Sequence, residues 1–89
     1  MALFDLLGRR WALRVLWELR EGGLTFRELQ AHCESMSSSV LNARLRELRE
    51  AGILSVNSGD GYSLTREGHA LLRALSPLHE WAARWSERV

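Results

Sequence analysis

Between Arg9 and Glu21 the apolar positions are Trp11, Leu13, Val15, Leu16, Trp17 and Leu19. They follow neither one narrow stripe nor a strict alternation, a mixture that suits a helix buried over much of its girth. Ahead of them, Ala2 to Leu7 is a short apolar segment, enough for a helical turn or two. Gly22-Gly23 stops the second helix, because glycine takes the left-handed cap conformation at little steric cost. Thr25-Phe26-Arg27-Glu28 then has the form of a capping box, in which the threonine hydroxyl and the glutamate carboxylate satisfy the first free amides of a helix. This predicts a short helix over about Thr25 to Cys33, with Phe26, Leu29 and Cys33 on one side.

Glu34, Ser35 and Met36 make a tight connection, and Ser37 is the next good N-cap. The helix it opens runs to about Ala51 and stops at Gly52. Leu41, Leu45 and Leu48 recur at i, i+4 and i+7 as a narrow apolar stripe, with Val40 beside it. Past Gly52 the period drops towards two in Ile53 to Val56. "NSGDG", Asn57 to Gly61, is dense turn chemistry, and Tyr62 to Leu64 alternates again, which predicts a β-hairpin. Thr65 caps a last helix from Arg66 onward, with apolar positions at Leu71, Leu72, Leu75, Leu78, Trp81 and Trp85. Pro77 interrupts it and predicts a kink or a break into two helices.

The resulting order is helix, helix, short helix, tight turn, helix, hairpin, helix. A short turn between two helices is the helix-turn-helix unit, and a hairpin directly after it makes a winged helix. The expected fold class is therefore mostly α with a small β-hairpin (α+β). The helix-turn-helix spans about 25–51, the wing about 53–64 and the C-terminal helix about 66–88. In that arrangement the second helix of the unit enters the DNA major groove, led by its N-terminal residues. With the leucine stripe facing inward, the opposite side carries Ser38, Ser39, Asn42 and Arg46. Asparagine pairs bidentately with adenine and arginine with guanine, while serine serves base edge or phosphate. These four are the expected base contacts. Thr25, Ser37, Arg27 and Arg44 are expected to cap helices or position the phosphate backbone.

Composition changes this picture little. Eighty-nine residues with 46% hydrophobic content suit one folded domain over 1–89. The net charge of +1 is uninformative. Its cations are all arginine, which suits phosphate and guanine but also follows from GC-rich coding. No apolar run approaches the roughly 18 residues of a spanning helix, so no membrane association is expected. The first residues carry no basic region before their apolar patch and do not read as a secretory signal. The expected location is cytoplasmic, associated with the nucleoid. Cys33 is the single cysteine, and His32, His69 and His79 are scattered, so neither a disulfide nor a metal site nor any other cofactor is expected. No histidine has a nucleophile or paired carboxylate at a recognisable spacing, and a catalytic role is not expected.

The ordered motifs resemble one family. Gly8, Arg10 and Trp11 open a helix; Phe26, Glu28 and Leu29 sit in the next; Ser37, Leu41, Arg44 and Leu45 in the third; Ala51 and Gly52 end it; Tyr62, Leu64, Thr65 and Gly68 lead into the last. This set is similar to the HxlR-type winged-helix transcriptional regulators of bacteria, over nearly the whole chain. The resemblance implies a homodimer bound to double-stranded, pseudo-palindromic operator DNA, joined through its N- and C-terminal helices. Leu3, Phe4 and Leu7 at one end, with Leu75, Leu78, Trp81 and Trp85 at the other, fit that expectation. They exceed what a small monomer core covers, and exposed apolar patches mark association surfaces.

Two departures stand beside the resemblance. Some relatives sense oxidants through a cysteine ahead of the first helix, whereas Cys33 lies at an apolar position of the short helix and reads as a small buried hydrophobe. The wing is short and carries no basic residue between Ile53 and Thr65. Its expected phosphate contacts are the backbone amides of Gly59 and Gly61, with Arg66 just beyond. An effector ligand is compatible with this reading but is not specified by it. The alternative, a winged helix that binds only protein partners, stays open at this level.

Overall fold

The computed structural model describes residues 2–59 and 61–88. Helix α1 (Ala2–Gly8) leads into α2 (Ala12–Glu18), which begins later than the hydrophobic pattern predicts. The reason is Trp11: its backbone is left-handed, at φ 76°, which few non-glycine residues adopt. The chain therefore turns at Arg9–Trp11, with the Arg9 amide bonded to the Leu6 carbonyl, before α2 can propagate. At the other end α2 closes in a tightened turn, where the Leu19 amide reaches the Val15 and Leu16 carbonyls.

A two-residue strand, β1 (Leu24–Thr25), follows and was not expected. Next come α3 (Phe26–His32), α4 (Ser38–Glu50), β2 (Leu54–Val56), β3 (Gly61–Leu64) and α5 (Arg66–Arg88). The predicted hairpin is thus two strands of a three-stranded antiparallel sheet in the order β1-β3-β2. Leu24 pairs with Tyr62, and Leu54 with Leu64. Gly23 runs so close to β3 that a Cβ there would lie 3.2 Å from the Tyr62 carbonyl oxygen.

The last helix is unbroken over 23 residues with Pro77 inside it, so the predicted break into two helices does not occur. Among the described residues no helix is long and apolar enough to cross a membrane. One core joins the elements. Val15 and Leu16 of α2, Leu29 of α3, and Leu41, Leu45 and Leu48 of α4 are all at most 2% exposed and pack together, with Ile53 and Leu64 closing the wing side. Fully burying such a side chain stabilises by roughly 1.5–3 kcal/mol, and this cluster fixes how α4 sits against α2 and α3.

Candidate nucleic-acid interface

The interface is built on two capped helices. The Glu28 amide donates to Thr25 Oγ1 at 3.1 Å and the Thr25 amide donates to Glu28 Oε1 at 2.8 Å, completing the capping box of α3. Those two contacts hold the Glu28 carboxyl below its ordinary range, the backbone amide contributing most. Thr25 is thus a cap, and Arg27 beside it is exposed. Cys33 ends α3 and the Met36 amide bonds back to its carbonyl, giving the tight turn into α4.

Ser37 caps α4: its Oγ accepts from the Val40 amide at 3.2 Å and lies 3.2 Å from Ser39 Oγ. The far end of α4 closes on Gly52, left-handed at φ +78°. There the Gly52 amide bonds the Arg49 carbonyl and the Ile53 amide bonds the Leu48 carbonyl, which satisfies two otherwise orphaned groups. With Leu41, Leu45 and Leu48 buried, Ser38, Ser39, Asn42 and Arg46 are all exposed, Ser39 and Arg46 lying farthest round the helix from the buried stripe.

Charge is distributed unevenly over this face. The Arg46–Glu50 spacing predicts a helical ion pair, but no such pair forms; the Arg44 guanidinium instead contacts the Glu47 carboxylate. Arg44 is largely covered, its side chain 14% exposed, and its Nε has no partner. It is therefore oriented along α4 rather than outward. Arg27, Arg46, Arg49 and Arg66 pair with no carboxylate among the described residues. Arg46, Arg49 and the acidic Glu50 line a cleft of about 480 Å³ with Leu54, Ser55 and Val56 of β2, so the end of α4 and the wing share one wall.

Arg49 is not among the residues that the sequence pattern singles out. Its spacing of three from Arg46 was the available signal, since such positions neighbour one another on a helix. On the wing, Gly59 is left-handed at φ +90° and Gly61 opens β3, while Asp60 lies outside the described residues. Arg66 is exposed on the first turn of α5.

The family model for HxlR-like helix-turn-helix proteins matches residues 6–89. The chain belongs to the HxlR-like helix-turn-helix family. Within the reach of that family it is 32% identical over 87 residues to YvaP of Bacillus subtilis, an HTH-type transcriptional regulator, covering 91% of this chain and 81% of that one. Among solved structures it is similar to quinone-bound YodB of Bacillus subtilis, with a TM-score of 0.87, 30% identity and 93% of each chain covered. A transcriptional regulator assigned to the MarR family in Enterococcus faecalis superposes with a TM-score of 0.86 and 30% identity, over 96% of this chain and 83% of the other.

This HxlR-like protein is accordingly a winged-helix, DNA-binding transcriptional regulator and not an enzyme. A protein-only interaction module finds no support among its relatives. Its Cys33 is 2% exposed, and burial pushes the thiol pKa up. That is the opposite of the lowered pKa that makes a cysteine reactive.

At the ends of the chain, Phe4 is 71% exposed, Leu78 59%, Trp81 51% and Trp85 52%. Leu3 is exposed as well, whereas Leu7 and Leu75 are half-buried and Leu7 packs against the monomer's own core. The Trp81 and Trp85 rings stack on one another at 5.9 Å, outside that core.

Proposed function

We propose that the protein acts as a homodimer on a pseudo-palindromic operator, with α4 in the major groove of each half-site. The observation that carries this reading is the polar surface of α4: Ser38, Ser39, Asn42 and Arg46 exposed while the three leucines are buried. Small residues at the leading end allow close approach of the backbone to base edges. Asn42 then reads adenine and Arg46 guanine, each bidentate pair adding roughly 1–3 kcal/mol of discrimination. Ser38 and Ser39 contact base edges at the helix start.

Phosphates are met by Arg27, by Arg49 from the cleft beside β2, by Arg66 and by the amides of Gly59 and Gly61. Thr25 and Ser37 act through the helices they cap. Arg44 stiffens α4 through Glu47, and a direct phosphate contact from it requires that this ion pair open. The dimer is supported by Leu3, Phe4, Leu78, Trp81 and Trp85, each left between 37% and 71% exposed by its own chain, flanked by Leu7 and Leu75. The site of action is the nucleoid in the cytoplasm.

Selection of bound duplexes from a random pool, read by sequencing, tests the whole reading. The expected product is a motif of two inverted half-sites. Enrichment of no motif, or of a single unpaired half-site, contradicts it.

A further inference from the structure

A second concavity lies between α2 and α5, built without any residue of α3, α4 or the wing. It encloses about 630 Å³, well inside the roughly 300–1,000 Å³ of small-molecule clefts. Its walls are apolar, formed by Leu13 and Trp17 from α2 and Leu72, Leu75 and Leu78 from α5. The Trp17 and His79 rings stack at 4.9 Å and tie the two helices together across it.

Three arginines border these walls, and they differ in availability. Arg14 is committed: its Nε lies 2.7 Å from Glu18 Oε2. Arg20 sits over the Trp17 ring at 4.1 Å, held there by a hydrogen bond it donates to the Trp17 carbonyl at 3.0 Å. Its acidic neighbour Glu21 is 3.6 Å away and largely solvated. Arg73 has no carboxylate partner among the described residues. Against these, Glu80 is the one acidic side chain among the described lining residues. An apolar trough edged by the unpaired Arg73 guanidinium is complementary to a hydrocarbon body with an anionic head.

We propose that the α2–α5 groove is the effector site of this regulator and binds a small amphipathic carboxylate. The hydrocarbon part, aryl or medium-chain, lies against Leu13, Trp17, Leu72 and Leu75, and the carboxylate meets Arg73. The consequence for DNA binding rests on the regulator reading above; binding in the groove does not. Coupling runs through both walls. Val15, Leu16 and Leu19, on the other side of α2, share the core with Leu41 and Leu45 of α4. The start of α5 is tied to the end of α4 and to the wing, since Thr65 Oγ1 donates to the Gly52 carbonyl at 2.6 Å and the Thr65 amide to the Ile53 carbonyl at 3.0 Å. A ligand that alters the spacing of α2 and α5 thus acts on the recognition helix and the wing together.

Leu75 and Leu78 also border the apolar face assigned to the dimer, so a second copy of the chain is the competing occupant. The full chain is titrated with 8-anilinonaphthalene-1-sulfonate by fluorescence, then challenged with 1-naphthoate or with the neutral 1-naphthalenemethanol. The expected result is displacement by naphthoate and little by the alcohol. Arg73→Gln should weaken naphthoate by about tenfold or more, the value of one lost charge-assisted hydrogen bond. Trp85→Ser should leave naphthoate affinity unchanged. Equal displacement by the alcohol overturns the proposal, as does indifference to Arg73→Gln. So does a naphthoate affinity that falls as protein concentration rises, which assigns the groove to a second copy. Random-duplex binding on the same preparations separates the two readings: a chain that shifts DNA but ignores naphthoate loses only the groove assignment.

Discussion

Gly68 lies directly against the Ile53 carbonyl: a Cβ at Gly68 would stand 2.3 Å from that oxygen and 3.2 Å from Leu64 Cβ. The contact is backbone against backbone, so no flexible side chain yields. Here α5 crosses the wing closely enough for the Thr65 amide to bond the Ile53 carbonyl at 3.0 Å. Gly68→Ala should therefore destabilise the fold by about 1–3 kcal/mol through overpacking, although alanine is the better helix former. Urea denaturation checks this; a stability equal to or above that of the parent shows that α5 and the wing are not held at this distance.

Acid should weaken the start of the helix-turn-helix. Glu28 and Glu18 both have lowered pKa values, Glu28 chiefly through the Thr25 amide and Glu18 chiefly through its hydrogen bond with His32. For carboxylates depressed in the folded state, the stabilisation is complete above the unfolded value of about 4.3 and fades as pH falls through the folded value. Thermal melts should thus decline below about pH 4.3, and Glu28→Gln with Glu18→Gln should flatten that decline. A double variant with the parent's acid profile rules these carboxylates out as its source.

Arg49 and Arg44 should behave differently in DNA binding. Arg49 is exposed and lines the cleft beside β2, whereas Arg44 is engaged by Glu47. Arg49→Gln is expected to weaken all duplexes alike and reduce the salt slope by about one unit. Arg44→Gln should alter that slope less. Salt titrations of fluorescence anisotropy on random duplex give both numbers, and a larger slope change for Arg44 reverses the assignment.

The aromatic end of α5 should govern assembly. Trp81 and Trp85 stack on each other and are each about half exposed. Trp81→Ser with Trp85→Ser is expected to shift the protein towards monomer in sedimentation, without loss of helix content. An unchanged mass excludes this face as the dimer contact.

Much of the fold is legible in the sequence where one local rule decides it. The capping box at Thr25, the leucine stripe of α4 and the Gly52 stop are each set within a few residues. The misses are places where distant parts decide. Leu24-Thr25 becomes a strand only because β3 lies beside it, and two residues carry no periodicity of their own. The left-handed Trp11 shortens α2, and nothing in an apolar pattern encodes a positive φ. Pro77 removes one amide from the middle of α5, yet the helix-forming residues on both sides carry the helix through. The polar face of α4 was readable from spacing, but the choice of Glu47 over solvent by Arg44, and the cleft that adds Arg49, depend on three-dimensional neighbours.

The account centres on α4 as the element that reads base sequence, and Asn42 tests it most directly. Binding of the parent and Asn42→Ala is measured on the selected operator and on a random duplex at one salt concentration. The expected result is a loss of roughly 1–3 kcal/mol on the operator with little change on random DNA, and an unchanged fold, since exposed substitutions usually stay within about 0.5 kcal/mol. Equal losses on both duplexes, or no loss on either, contradict the placement of Asn42 against a base.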